Sequence, residues 1–332
     1  MTDPSSTLLD IRNLSVSVSD KNEPTPLIHN VSLSVRSGET LAIVGESGSG
    51  KTLTFLSALG IAPPSIKVTA GEVFFNNEDL LRLSPSALRA RRGTAISMVF
   101  QDPLSALNPV FSIGTQIIEV LRAHLPITKS QARTKAIELL DRVHIPDPHR
   151  RIDDYPHQFS GGMRQRALIA MAIALEPQVL IADEPTTALD VTVQAQVLEL
   201  LTQLRQEIGM ALVLITHDLG LVARHADRVA VFYAGRVVEQ AFVKLLFRTP
   251  RHPYTVSLFR TIPRLDQPTS VDLTPIMGQP PNLAKLPAGC PFSPRCYLAN
   301  PSCHTIQIYL SPTVSSEHLS ACPHWSTINH ES

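Results

Sequence analysis

Leu41-Ala42-Ile43-Val44-Gly45-Glu46-Ser47-Gly48-Ser49-Gly50-Lys51-Thr52 is the stretch from which the rest of the chain is read. Its first four residues are uniformly aliphatic and predict a buried strand, while Gly50 to Leu59 is rich in helix formers. The turn between them fits G-x-x-x-x-G-K-[ST] in the strand-to-helix setting that gives the pattern a mechanism. Gly45, Gly48 and Gly50 let the backbone curl, so that the N–H groups running through Ser47 and Ser49 point at phosphate oxygens, and the new helix presents its positive end to the same anion. Lys51 then meets the β- and γ-phosphates of a nucleoside triphosphate, and Thr52 offers a hydroxyl to Mg²⁺. A chance Gly/Ser-rich turn is the competing reading, and the flanking pattern argues against it.

Working outward, Val179 to Ala182 follows the turn signal Glu176-Pro177 and ends at Asp183-Glu184, and Ala211 to Ile215 ends at Thr216-His217-Asp218. Short apolar runs alternating with helical periodicity over residues 1–245 predict an α/β domain with a parallel sheet and crossover helices. Polar groups stand at the strands' carboxyl ends, where such sheets bind ligands. Asp183 is placed to hold Mg²⁺, through water, and Glu184 to orient and polarise an attacking water as general base. From about 102 to 165 the pattern turns helical: Thr128 with Gln131 makes a capping box, and Ala132, Ala136, Ile137, Leu140 and Val143 line one face. Asp190 caps a further helix with Val197, Leu201, Leu204 and Ile208 as its apolar stripe, ending at Gly209.

The bulk composition excludes more than it identifies. With 332 residues and 43% hydrophobic content the chain is not disordered, and 29 basic against 29 acidic residues give no global attraction to nucleic acid or anionic lipid. The longest wholly apolar run, Ala167 to Leu175, is nine residues, against the 18 or more, roughly, that cross a bilayer. Met1 to Leu9 has no basic n-region, apolar h-region or cleavage site, which leads to the expectation of a cytosolic chain with reduced thiols. Residues 246–332 read as a separate module: 13 of the 27 prolines lie from Thr249 onward, with all four cysteines and the single tryptophan.

Phe159-Ser160-Gly161-Gly162-Met163-Arg164-Gln165-Arg166 resembles the LSGGQ signature of ATP-binding-cassette (ABC) ATPases, with Phe for Leu and Met for Gln. Gln101 in Val99-Phe100-Gln101-Asp102-Pro103 resembles the Q-loop, Ala188-Leu189-Asp190 the D-loop, and His217 the H-switch. The resemblance implies a P-loop NTPase core of ABC type. It implies that Ser160, Gly161, Gly162 and Asp190 serve nucleotide across a dimer, that Gln101 contacts Mg²⁺ and the attacking water, and that His217 senses the γ-phosphate. Such proteins stack adenine on an aromatic residue of the first strand, where this chain has Val18.

Arg251-His252-Pro253-Tyr254-Thr255, Gly278 to Leu283 and Gly289 to Cys296 resemble the C-terminal extension of the dipeptide/oligopeptide/nickel branch of ABC importers. That resemblance implies an ATP-hydrolysing subunit driving uptake of peptides or similar small solutes. The same resemblance implies a peripheral position on the cytoplasmic face of the membrane, with two permease subunits, a second and distinct ATPase chain and an extracytoplasmic solute-binding protein as partners, and no nucleic acid. Tyr155 to Gln158 and the residues after Gln101 are where permease coupling helices are expected to dock. A soluble ABC ATPase of DNA repair or translation is the alternative. Cys290, Cys296, Cys303 and Cys322, separated by five, six and eighteen residues, match neither a zinc ribbon nor a cytosolic disulfide framework. Some members of this branch hold a [4Fe–4S] cluster on cysteines so placed; free thiols, or zinc completed by His304, His318 or His324, are the other readings.

Overall fold

The computed structural model describes residues 6–19, 24–187, 189–261 and 275–328. Contacts divide these into two compact units, one made of residues up to 8, 35–39 and 83–215, the other of residues 9–34, 40–82 and 216 onward. In the first unit the strands Ile96–Val99, Val179–Asp183 and Ala211–Ile215 run parallel, with Met98 beside Ile181 and Ile181 beside Val213. All five residues of each of the last two strands are buried. This is why they read as unbroken apolar runs: a parallel strand covered on both faces has no solvent side on which to alternate.

The same unit holds the helices Ile113–His124, Lys129–Arg142 and Gly161–Ile173. Thr128 and Gln131 form the expected reciprocal capping box. Ala132, Ala136, Leu140 and Val143 are buried, but Leu139 joins them in place of Ile137, which is half-buried. Helix Val191–Ile208 opens on Asp190, whose Oδ1 accepts the Val193 N–H at 3.0 Å, and ends on Gly209 in the left-handed region. Gly is favoured there because it carries no Cβ to clash.

The second unit departs from an all-parallel plan. Thr40–Val44 runs parallel to Arg228–Tyr233, but Arg236–Phe242, His318–Ser320 and Ser311–Ser315 then add antiparallel. A further sheet orders Thr25–Arg36, Thr7–Val18, Ile66–Phe75 and Glu78–Asp79, with the last three antiparallel in turn. The crossover pattern did not announce these strands, because residues such as Val68 and Glu72 leave one face solvated and the apolar signal is diluted by alternation. Residues beyond 245 share a core with what precedes them: Leu246, Tyr254, Phe292 and Ala321 are buried in one cluster with Val229, Val231, Tyr233 and Val238. A wholly buried pair, His318 Nε2 and Glu239 at 2.7 Å, joins the paired strands. Among the described residues no helix is long and apolar enough to cross a membrane.

Candidate functional site: a phosphate loop and a signature helix

In the second unit the strand Thr40–Val44 feeds the turn, and the helix begins at Lys51, one residue after its predicted start. Gly50 is the N-cap at φ 100°, and a Cβ there would lie 2.5 Å from Ile28 Cδ1, so both conformation and space select glycine. Lys51 is buried, and its ammonium donates to the carbonyls of Gly45 at 2.8 Å and Glu46 at 2.9 Å. The buried Ser49 Oγ has no hydrogen-bond partner among the described residues. A buried ammonium held by loop carbonyls and an orphaned hydroxyl suit a phosphate-bearing ligand, whose oxygens supply the acceptors. The Thr216 N–H donates to Ile43 O at 3.0 Å, so the His217 turn is anchored beside the strand that delivers the loop. His217 itself is exposed, and Asp218 caps the helix that follows.

The first unit assembles a second group. Asp183 ends its strand buried, whereas Glu184 turns into the left-handed region at φ 43° and is half-buried. A glutamate there is uncommon, and the conformation separates the two adjacent carboxylates, as divergent roles require. Glu184 Oε2 accepts from Gln101 Nε2 at 3.1 Å and from Thr187 Oγ1 at 2.9 Å, which leaves its carboxylate aimed by two donors. Thr187 was not singled out in the sequence. Its position three residues after a carboxylate in Glu-Pro-Thr-Thr was the available signal, since short hydroxyl side chains bond back across such turns.

The signature starts helix Gly161–Ile173 with Ser160 as N-cap, accepting the Met163 N–H at 3.3 Å. Its glycines also have a packing role that phosphate chemistry alone did not suggest. A Cβ on Gly162 would sit 2.7 Å from Val193 Cγ1, and one on Gly161 3.4 Å from Leu189 Cδ2. The signature, Leu189 and the helix capped by Asp190 are thus brought together, while Ala188 lies outside the described residues. In the same unit Leu104, Val110, Phe111 and Tyr155 are exposed apolar side chains. The Ile113 N–H bonds Asp154 O and the Gly114 N–H bonds Ile152 O, which lays the stretch after Phe111 beside Tyr155. Val18 is half-buried at the end of its strand and brings no ring.

Cys290, Cys296, Cys303 and Cys322 line one small cavity of about 20 Å³ together with His252, Phe292 and His324. The four donors converge, yet among the described residues no trio of them stands at metal-ligand spacing. Burial, reinforced by the neighbouring cysteines, pushes the Cys296 thiol up to about 11 and Cys322 up to about 12. The zinc reading loses two of its histidines: His318 is committed to Glu239, and His304 is exposed and outside the cavity lining.

The family described as ABC transporter matches residues 28–187, and that described as oligopeptide/dipeptide transporter, C-terminal region, matches residues 238–303. The chain is 51% identical over 290 residues to the dipeptide transport ATP-binding protein DppD of Bacillus subtilis, covering 87% of this chain and 86% of that one. It is 48% identical over 318 residues to the oligopeptide transport ATP-binding protein OppD of Mycobacterium tuberculosis, covering 96% of this chain and 52% of that longer protein. Among solved structures, the ATP-binding cassette MJ0796, a dimer in a post-hydrolysis state bound to ADP and Pi, superposes with a TM-score of 0.64 at 28% identity, over 71% of this chain and 99% of that one. With its phosphate loop, signature and C-terminal region all accounted for, the chain belongs to the ABC transporter family of ATP-binding subunits, in the oligopeptide/dipeptide branch.

Proposed function

We propose that this chain is the ATP-hydrolysing subunit of an importer for peptides or similarly small solutes. The observation that carries the reading is the presence, in one chain, of a built phosphate loop, a capped signature helix and a C-terminal region of the oligopeptide/dipeptide type. A soluble repair or translation ATPase would have no use for that C-terminal region.

Lys51 and the loop amides of Gly45, Ser47, Gly48, Ser49 and Gly50 hold the triphosphate. Thr52, Gln101 and Asp183 are oxygen donors of the kind Mg²⁺ prefers, and that ion, when bound, neutralises phosphate charge. Glu184 takes the general-base position, with Gln101 and Thr187 fixing its carboxylate; Gln101 so shares in orienting the water, and His217 senses the terminal phosphate. Ser160, Gly161, Gly162 and Asp190 serve the nucleotide of a second ATPase chain, a related but distinct subunit. ATP binding draws the two domains together, and hydrolysis lets them part. Two permease subunits receive that motion at the exposed apolar patch of Leu104, Val110, Phe111 and Tyr155, on the cytoplasmic face of the membrane, and an extracytoplasmic binding protein delivers solute. We take the cassette to end and the branch-specific extension to begin near residue 245, the two sharing one core.

The four cysteines are assigned to a soft-metal centre, with a [4Fe–4S] cluster as the preferred occupant. Their number, type and convergence on one cavity support this. Cys290, Cys296, Cys303 and Cys322 would hold such a centre as thiolates, so its affinity would rise with pH.

Reconstitution tests the function. In proteoliposomes carrying both permeases and both ATPase chains, the wild-type assembly should release phosphate and accumulate peptide when binding protein is supplied. Glu184→Gln should bind ATP but turn it over at least about a hundredfold more slowly. Phosphate release without any peptide-dependent uptake would remove the importer reading.

A further inference from the structure

We infer that Arg295 is a positioning residue for the phosphate loop, so that the cysteine-bearing segment sets nucleotide affinity. Arg295 lies between Cys290 and Cys296, and its side chain is only 6% exposed. Its Nη1 donates to Glu46 Oε2 at 2.8 Å and its Nη2 to Glu46 Oε1 at 2.9 Å, the two-pronged geometry of a strong guanidinium–carboxylate pair. Its Nε donates to Met277 O at 2.9 Å, and Nη1 lies 3.4 Å from the Tyr233 hydroxyl. The arginine is thus held at its own end before it reaches the loop.

Glu46 is the second residue of the phosphate loop, and every part of it is engaged. Its N–H donates to the Tyr254 hydroxyl at 2.9 Å, its carbonyl accepts from Lys51 Nζ at 2.9 Å, and its carboxylate is clasped by Arg295. Tyr254 in turn packs against Tyr233 and Phe292, with ring centroids 4.6 and 5.4 Å apart. Two residues from beyond position 250 therefore hold the second residue of the loop in place.

Two physical effects follow. A loop already fixed loses less conformational freedom when nucleotide arrives, which strengthens binding. A carboxylate at the edge of a phosphate cradle repels the ligand unless its charge is cancelled, and a bidentate arginine cancels it in place. An ordinary surface ion pair contributes little. This one is largely shielded from water, and removing the arginine leaves Glu46 charged and without that partner.

The inference rests on the reading of Gly45 to Thr52 as an ATP site, and the experiment separates the two. ATP binding to the full-length chain is measured by titration calorimetry, and hydrolysis in the assembled importer as a function of ATP concentration. Arg295→Ala should raise Kd and KM for ATP about tenfold, with kcat at saturation within about twofold of wild type. Arg295→Lys, which keeps the charge but not the fork, should fall between. Removing the carboxylate as well, in Glu46→Gln/Arg295→Ala, should bring Kd back to within about threefold of wild type. Should Arg295→Ala not fold, the same cycle is run with Arg295→Lys. Wild-type Kd in Arg295→Ala, or equal impairment of the single and double variants, overturns the inference while leaving the ATP site standing. Absence of ATP binding by the wild-type chain overturns both.

Discussion

Gly162→Ala separates the two roles that the signature glycine holds. The added Cβ would stand 2.7 Å from Val193 Cγ1, with Val193 Cβ and Cγ2 at 3.9 Å. Carbon atoms pack at about 3.5–4.0 Å, so one contact is short by roughly 1 Å. Val193 has little room to turn aside, being β-branched and in the first turn of a helix held by the Asp190 cap. Overpacking of this kind costs about 1–3 kcal/mol, and the gain from replacing Gly by Ala inside a helix returns about 0.8–1 kcal/mol. The expected net loss is about 1 kcal/mol. In a Val193→Ala background the obstructing methyl is gone, only the helix gain remains, and the same substitution should stabilise by about 0.5–1 kcal/mol. Urea unfolding of the four proteins of the cycle reads this directly. A Gly162→Ala effect of the same sign and size in both backgrounds refutes the packing argument. ATP hydrolysis in the stable double variant then reports on the other role: turnover that stays lost shows that the glycine also serves nucleotide approach.

Tyr254→Phe should lower stability by about 1–3 kcal/mol, because the Glu46 N–H loses its buried acceptor; unfolding followed through Trp325, the single tryptophan, measures it. Leu104→Glu with Phe111→Glu places charge on the exposed apolar patch and should abolish recruitment to permease-bearing vesicles while ATP binding by the isolated chain is unchanged. Anaerobic purification should yield brown protein with about four iron atoms per chain, and Cys303→Ser should lose the iron; a colourless, iron-free protein that is folded and hydrolyses ATP in the assembly would dismiss the cluster.

Much of the local structure around the proposed nucleotide site was legible because it depends on local order. A strand, a Gly-rich turn and a helix are adjacent in sequence, and so are a cap and the helix it starts, so Gly50-Lys51-Thr52 and the Asp190 cap show in local order, whereas Ser160-Gly161-Gly162 was read through its resemblance to a known signature. The buried parallel strands were equally plain, their apolar runs being continuous. What the sequence did not disclose depends on which distant segments meet. The antiparallel strands before residue 80 alternate apolar with polar residues, and Arg236–Phe242 buries the polar Glu239 and Gln240, so neither gives the continuous apolar run of the parallel strands. Nothing near Glu46 announces that its carboxylate belongs to Arg295, 249 positions away, and nothing near Glu184 announces Gln101, 83 positions away. Likewise Gly162 shows its second function only against Val193, and His318 is withdrawn from metal binding only by Glu239. Local propensity and motif spacing are properties of a few neighbouring residues, and these the chain carries in its order; the pairing of a charge, a clash or a cavity wall is a property of position in space, and folding alone decides it.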